Sequence, residues 1–145
     1  MTPRFWHVGL TVTDLDKSAN FYRDIVGMEE GARAHSANAQ FAALVNLPGA
    51  QLKSVFLTLD GITLQLLQYL TQRGNALELA HNNIGSPHLS FFVPDIAAKY
   101  QSLTSNGEVR ITSSIITNAS GTIRSFYIAD PDGVPIEFVE SLSAA

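Results

Sequence analysis

Cysteine is absent from the 145-residue chain, which removes disulfides, thiolate metal sites and cysteine nucleophiles at once. Any metal must then be held by His, carboxylate or amide oxygen. Charge is scarce as well: the 13 acidic and 9 basic residues are dispersed without blocks, so the sequence offers no basic face for nucleic acid. No apolar run approaches the roughly 20 residues of a membrane helix, and the start MTPRFWHVGL lacks the basic and apolar segments of a signal peptide. A cytoplasmic protein is the expectation. Apolar residues are plentiful at 46%, enough at this length for one domain that builds its core without covalent staples.

The chain repeats itself. Arg4–Leu15, RFWHVGLTVTDL, is written again at Ser86–Ile96, SPHLSFFVPDI. In each copy a His (His7, His88) opens an apolar run that closes on Val (Val12, Val93), and an Asp (Asp14, Asp95) stands seven residues after the His. The copies end alike too. Asp60-Gly61 leads into ITLQLLQ and Asp132-Gly133 into VPIEFVE, which places Gln65 and Glu137 each four residues after the Gly. A repeat of this length is a duplicated supersecondary module rather than a solenoid unit.

Residues 3–70 read as the first module, 71–83 as a linker and 84–142 as the second, together a single domain at 3–142. Alternation in the first strand puts Trp6, Val8, Leu10 and Val12 on one face and Phe5, His7, Gly9 and Thr11 on the other. Asp14 is placed to cap a helix carrying Leu15, Ala19, Tyr22 and Val26 on one stripe, and Gly27 ends it. Strands are expected near Met28–Ala34, Ala39–Asn46, Lys53–Asp60 and Ile62–Gln68, the last two joined by an Asp-Gly turn. The linker has room for a helical turn at Ala76–Ala80. In the second copy His88, Ser90 and Phe92 share a face, and Asp95 caps a helix reaching about Ser105. Strands near Arg110–Thr117, Gly121–Ala129 and Val134–Glu140 complete it. The fold class is α+β: two βαβββ modules with pseudo-two-fold symmetry, forming a curved, trough-like mixed sheet.

Taken singly, a His near a strand start is more often a satisfied core or edge residue than a ligand, and Gln65 in ITLQLLQ reads as an outward polar residue. Taken together, His7, Gln65, His88 and Glu137 occupy matched repeat positions, where two imidazoles, an amide and a carboxylate are poor choices for apolar strands unless something satisfies them. A mixed nitrogen and oxygen set of this kind suits one divalent ion, Zn, Ni, Co, Mn or Fe(II).

The stretches HVGLTVTDLDKSANFYRDIVGM, ITLQLLQ, SPHLSFFVPDI and SFYIADPDGVPIEFVE resemble the vicinal oxygen chelate superfamily, which includes glyoxalase I, methylmalonyl-CoA epimerase, extradiol dioxygenases, fosfomycin-resistance enzymes and bleomycin-resistance proteins. The resemblance runs from Phe5 to Glu140. It implies that His7, Gln65, His88 and Glu137 are metal ligands, and that Glu137 also serves as the catalytic base. It implies a lyase or isomerase acting on a small oxygenated substrate through a metal-chelated enolate or enediolate. Chains of this family and length are commonly homodimers.

The set His, Gln, His, Glu is closest to that of the epimerase, yet no acid stands near Phe41–Ala43, where its further catalytic Glu would fall. Thr11 replaces an Arg that helps glyoxalase I hold glutathione, and Gly9 replaces a Thr near the phosphonate in fosfomycin enzymes. The triad His7, His88 and Glu137 also resembles the iron site of extradiol dioxygenases, so an Fe(II) ring-cleaving dioxygenase is an alternative. A binding protein of the bleomycin-resistance type, with Phe5, Phe41 and Phe92 lining its trough, is another. A second base would come from His35 or Tyr127, while His81 reads as a solvated linker residue. Arg4, Arg33, Arg73 and Arg124 are candidates to receive a carboxylate or phosphate.

Overall fold

Each helix that opens a half begins on an aspartate doing the same job. Asp14 accepts from the Lys17 backbone N–H at 3.0 Å, and Asp95 from that of Ala98 at 2.9 Å, so each satisfies a donor that the first helical turn leaves unpaired. A computed structural model describes residues 1–142 and divides the chain into two compact units, Met1–Ala76 and Leu77–Ala145.

In the first unit, β1 (Val8–Thr11) leads into α1 (Leu15–Phe21), whose final turn widens into a π-turn at Tyr22–Val26. Gly27 closes it with φ 94°, a left-handed conformation that glycine adopts without steric cost. Strand β2 (Glu29–Ser36), helix α2 (Ala39–Leu44), β3 (Leu52–Leu59) and β4 (Ile62–Tyr69) follow. The sheet order is β1-β4-β3-β2, with β1 parallel to β4 and the other pairs antiparallel. Asp60 and Gly61, at φ 49° and 77°, form the β3–β4 turn that the Asp-Gly pair predicts. Leu10, Val12, Val55, Leu57, Leu64 and Leu66 are buried on the sheet face that receives Leu15 and Ala19 of α1 and Tyr22 of the turn after it.

The second unit repeats the order. β5 (Leu89–Phe92), α3 (Ile96–Thr104), β6 (Arg110–Ile111), β7 (Ile116–Thr117), β8 (Ile123–Ala129) and β9 (Pro135–Ser141) give a sheet β5-β9-β8-β6, with β7 also paired to β8. Here again the first strand runs parallel to the last. Phe126, Ile128, Ile136 and Phe138 are fully buried on the helix side, with Ile96 and Leu103 of α3. The Lys99 ammonium lies 4.7 Å over the Phe138 ring, and burial lowers its pKa.

The α+β class and the two mixed sheets are as expected, while four local readings are corrected. Ala39–Leu44 is a helix, not a strand: the Asn38 side chain accepts from the Phe41 N–H at 2.8 Å, and three alanines favour the helical turn that this cap starts. The expected strand Arg110–Thr117 is two short ones, separated where the Thr112 and Ser113 N–H groups both reach the Tyr127 carbonyl. No helical turn forms at Ala76–Ala80, whose residues lie in irregular backbone. Trp6 does not follow the Leu10 face, because the chain enters β1 only at Val8.

The DPDG turn is held from within. Asp130 Oδ1 accepts from the N–H groups of Asp132 at 2.9 Å and Val134 at 2.8 Å, and both Asp130 and Val134 are buried. Asp130→Ala leaves those donors unpaired and is expected to cost about 2–4 kcal/mol in urea denaturation. A loss below about 0.5 kcal/mol would mean that the turn forms without them.

Candidate metal centre

The two units place their candidate side chains by one and the same register. In the first, Gln65 of β4 pairs with Gly9 of β1, two residues after His7, and with Phe56 of β3. In the second, Glu137 of β9 pairs with Ser90 of β5, two residues after His88, and with Tyr127 of β8. Directly paired residues share a face, so Gln65 and Glu137 lie opposite the helix-covered cores. Their neighbours three residues on do structural work on the helix side. Gln68 Oε1 accepts from the Leu15 N–H at 3.0 Å, and Glu140 is ion-paired with Arg124, whose Nε lies 2.8 Å from it.

His7 sits in an aromatic nest. Its ring meets Trp6 edge-on at 4.5 Å and Phe56 at 5.7 Å, while Trp6 stacks on Phe56 at 6.2 Å. Within that nest His7 Nδ1 is buried with no hydrogen-bond partner. An unpaired buried nitrogen of this kind costs free energy until a proton donor or a metal reaches it. His88 is exposed and lies edge-on to Tyr127 at 6.2 Å, and His81 packs edge-on against the same ring at 4.7 Å. His81 is thus an exposed linker residue, as expected, that also neighbours the strand partner of Glu137.

Glu137 is held by a neighbouring strand. Ser90 Oγ donates to its Oε2 at 2.8 Å. Burial first, then the charge of Glu137 and a hydrogen bond to it, raises the pKa of the Tyr127 phenol and keeps it an O–H donor. Among the described residues no group of three or more His, Cys, Asp or Glu is gathered at one place; the structure brings His7 together with Gln65's strand pair, and His88 together with Glu137's.

Other candidates are displaced. His35 pairs with Lys53, and through it with Gln68, on the face opposite Gln65. Arg33 is engaged by Glu30 and Asp16, Arg73 by the Tyr69 carbonyl, and Arg124 by Glu140. The sequence reading put Ser90 on the His88 face without giving it a role and passed over Phe56, although counting outward from each hairpin turn pairs Phe56 with Gln65 and Tyr127 with Glu137.

A family model described as Glyoxalase/Bleomycin resistance protein/Dioxygenase superfamily matches residues 4–138. The chain belongs to that superfamily. The chain is 28% identical over 142 residues to the uncharacterized protein YwbC of Bacillus subtilis, covering 97% of this chain and 99% of that one. It is also 28% identical over 138 residues to a lactoylglutathione lyase of Haemophilus influenzae, with 94% and 92% covered. Among solved structures, a glyoxalase family protein from Bacillus cereus superposes with TM-score 0.85 at 20% identity, covering 99% of this chain and 97% of that one. The fosfomycin resistance protein FosX from Listeria monocytogenes, complexed with Mn(II) and sulfate, does so with TM-score 0.64 at 21% identity, with 97% and 94% covered. At such identities the solved structures speak for the superfamily's fold alone.

The residues present suit a divalent ion on their own chemistry. His7 carries an orphaned ring nitrogen, Glu137 is already oriented by a hydroxyl, and the donors are the nitrogen and oxygen types that first-row divalent ions accept.

Proposed function

We propose that this superfamily member is a divalent-metal-dependent lyase or isomerase acting on a small oxygenated substrate, with His7, Gln65, His88 and Glu137 as the ligands. The observation that carries the reading is the shared register, a His two residues before the strand partner of Gln65 or Glu137 in both units. The ion, when bound, would act as a Lewis acid on a substrate oxygen. Gln65 contributes an uncharged amide oxygen, so Glu137 is the one anionic member of the set. Glu137 takes the proton from carbon next to the substrate carbonyl and returns it, because a carboxylate keeps a second basic oxygen while one is engaged, whereas the amide is not basic and a ligating imidazole has no second lone pair. Phe56, the strand partner of Gln65, stacks with Trp6 and gives Gln65 an aromatic neighbour. Metal analysis of the purified protein tests the reading. About one ion per chain and a metal-dependent rise in Tm are expected; protein free of metal, with no thermal response to Zn, Ni, Co, Mn or Fe(II), would refute it. Oxygen uptake with catechols under added Fe(II) would instead favour the dioxygenase.

The reading includes a homodimer, motivated by large apolar side chains exposed on the single chain, among them Phe5, Trp6, Leu77, Ile84 and Phe92. Sedimentation at micromolar concentration is expected to exceed the 15.7 kDa chain mass, and a species at that mass excludes the dimer. Mixing His7→Ala with His88→Ala chains then shows whether ligands are shared: a site built from two chains regains one intact set, and an intrachain site regains none.

A further inference from the structure

Comparing the two halves position by position reveals an asymmetry. Where the second unit has Ser90, Tyr127 and Glu137, the register of the first puts Gly9, Phe56 and Gln65. Both hydroxyls that could reach the strand-paired side chain are therefore missing beside neutral Gln65 and present beside Glu137. Ser90 Oγ donates at 2.8 Å to Glu137 Oε2. The Tyr127 ring meets His81 edge-on at 4.7 Å and His88 at 6.2 Å, and Tyr127 is the β8 strand partner of Glu137, whose nearness, with burial, raises the pKa of the phenol.

We infer that Ser90 and Tyr127 are positioning residues that fix the rotamer and direction of the Glu137 carboxylate, a support for which the first unit has no counterpart beside Gln65. A carboxylate has several acceptor positions and a freely turning end. Two donors on fixed strands remove that freedom before any ion arrives, so the ion meets an oriented oxygen. The inference rests on Glu137 being a ligand, and the test separates the two claims.

The ¹³C signal of the Glu137 carboxyl in the metal-free protein, assigned by its disappearance in Glu137→Gln, reads the positioning itself. Ser90→Ala and Tyr127→Phe are each expected to move and broaden it, while Ser90→Thr, which keeps the hydroxyl, restores it. Mn(II) and Zn(II) affinities, measured by chelator competition, should fall about 10-fold in each variant, recover in Ser90→Thr, and be insensitive to either change in a Glu137→Gln background. The Tm of the metal-free variants should stay at the wild-type value. A carboxyl signal indifferent to both variants overturns the inference, as does an affinity that is unchanged or that drops equally in the Glu137→Gln background. Wild-type protein that binds neither ion overturns the ligand reading, whatever the carboxyl signal does.

Discussion

His88→Ala is expected to abolish stoichiometric metal while leaving a folded chain. His88 stands just before β5 with an exposed side chain, so truncating it opens no cavity and leaves no buried polar group, and stability should change by no more than about 0.5 kcal/mol. The imidazole is a direct donor under the proposed reading. Its loss should weaken binding beyond the roughly 10–100-fold that follows from removing a ligand's hydrogen-bond partner. Dialysis followed by elemental analysis reads the occupancy, and far-UV circular dichroism with a thermal scan reads the fold. Full occupancy in His88→Ala would place the site elsewhere. His7→Ala is the less clean partner experiment, because His7 also packs against Trp6 and Phe56, and its loss mixes ligation with packing.

The largest effect on stability is expected from Phe126→Ala, at about 3–5 kcal/mol. Phe126 is fully buried in β8. Its ring meets Tyr100 of α3 edge-on at 5.0 Å and Phe138 of β9 at 5.6 Å, so one side chain joins the helix to two adjacent strands. Removing it leaves a cavity between Tyr100 and Phe138, groups that their own backbones hold in place, and little collapse can fill it. Urea or guanidinium denaturation measures the loss. A change under about 1 kcal/mol would mean that this core repacks freely.

The amino-acid sequence by itself determined the duplication, the α+β class and the superfamily, because these depend on local and periodic signals. Asp14 and Asp95 cap helices with their own side chains, Asp60-Gly61 adopts the positive φ values its turn needs, and alternation alone assigns Leu10 and Val12 to the core. The matching of His7 with His88 and of Gln65 with Glu137 was legible for the same reason: a repeat carries register with it. Local signals also misled where two short-range preferences competed. AQFAAL alternates weakly like a strand, but Asn38 and three alanines turn it into a helix.

Only the tertiary structure decided which side chains stand beside the candidate ligands. Ser90 reaches Glu137 across 47 residues of sequence. Trp6 turns onto Phe56 because β1 has not yet begun at its position, and His81 packs on Tyr127 from within the linker. Gln68 and Glu140 look as eligible as Gln65 and Glu137 in a one-dimensional reading, yet the pleat sends them to the helix side, where Leu15 and Arg124 occupy them. Strand pairing brings such groups together through hydrogen bonds between distant backbones, and the identity of a cross-strand neighbour is not written in the residues that flank it.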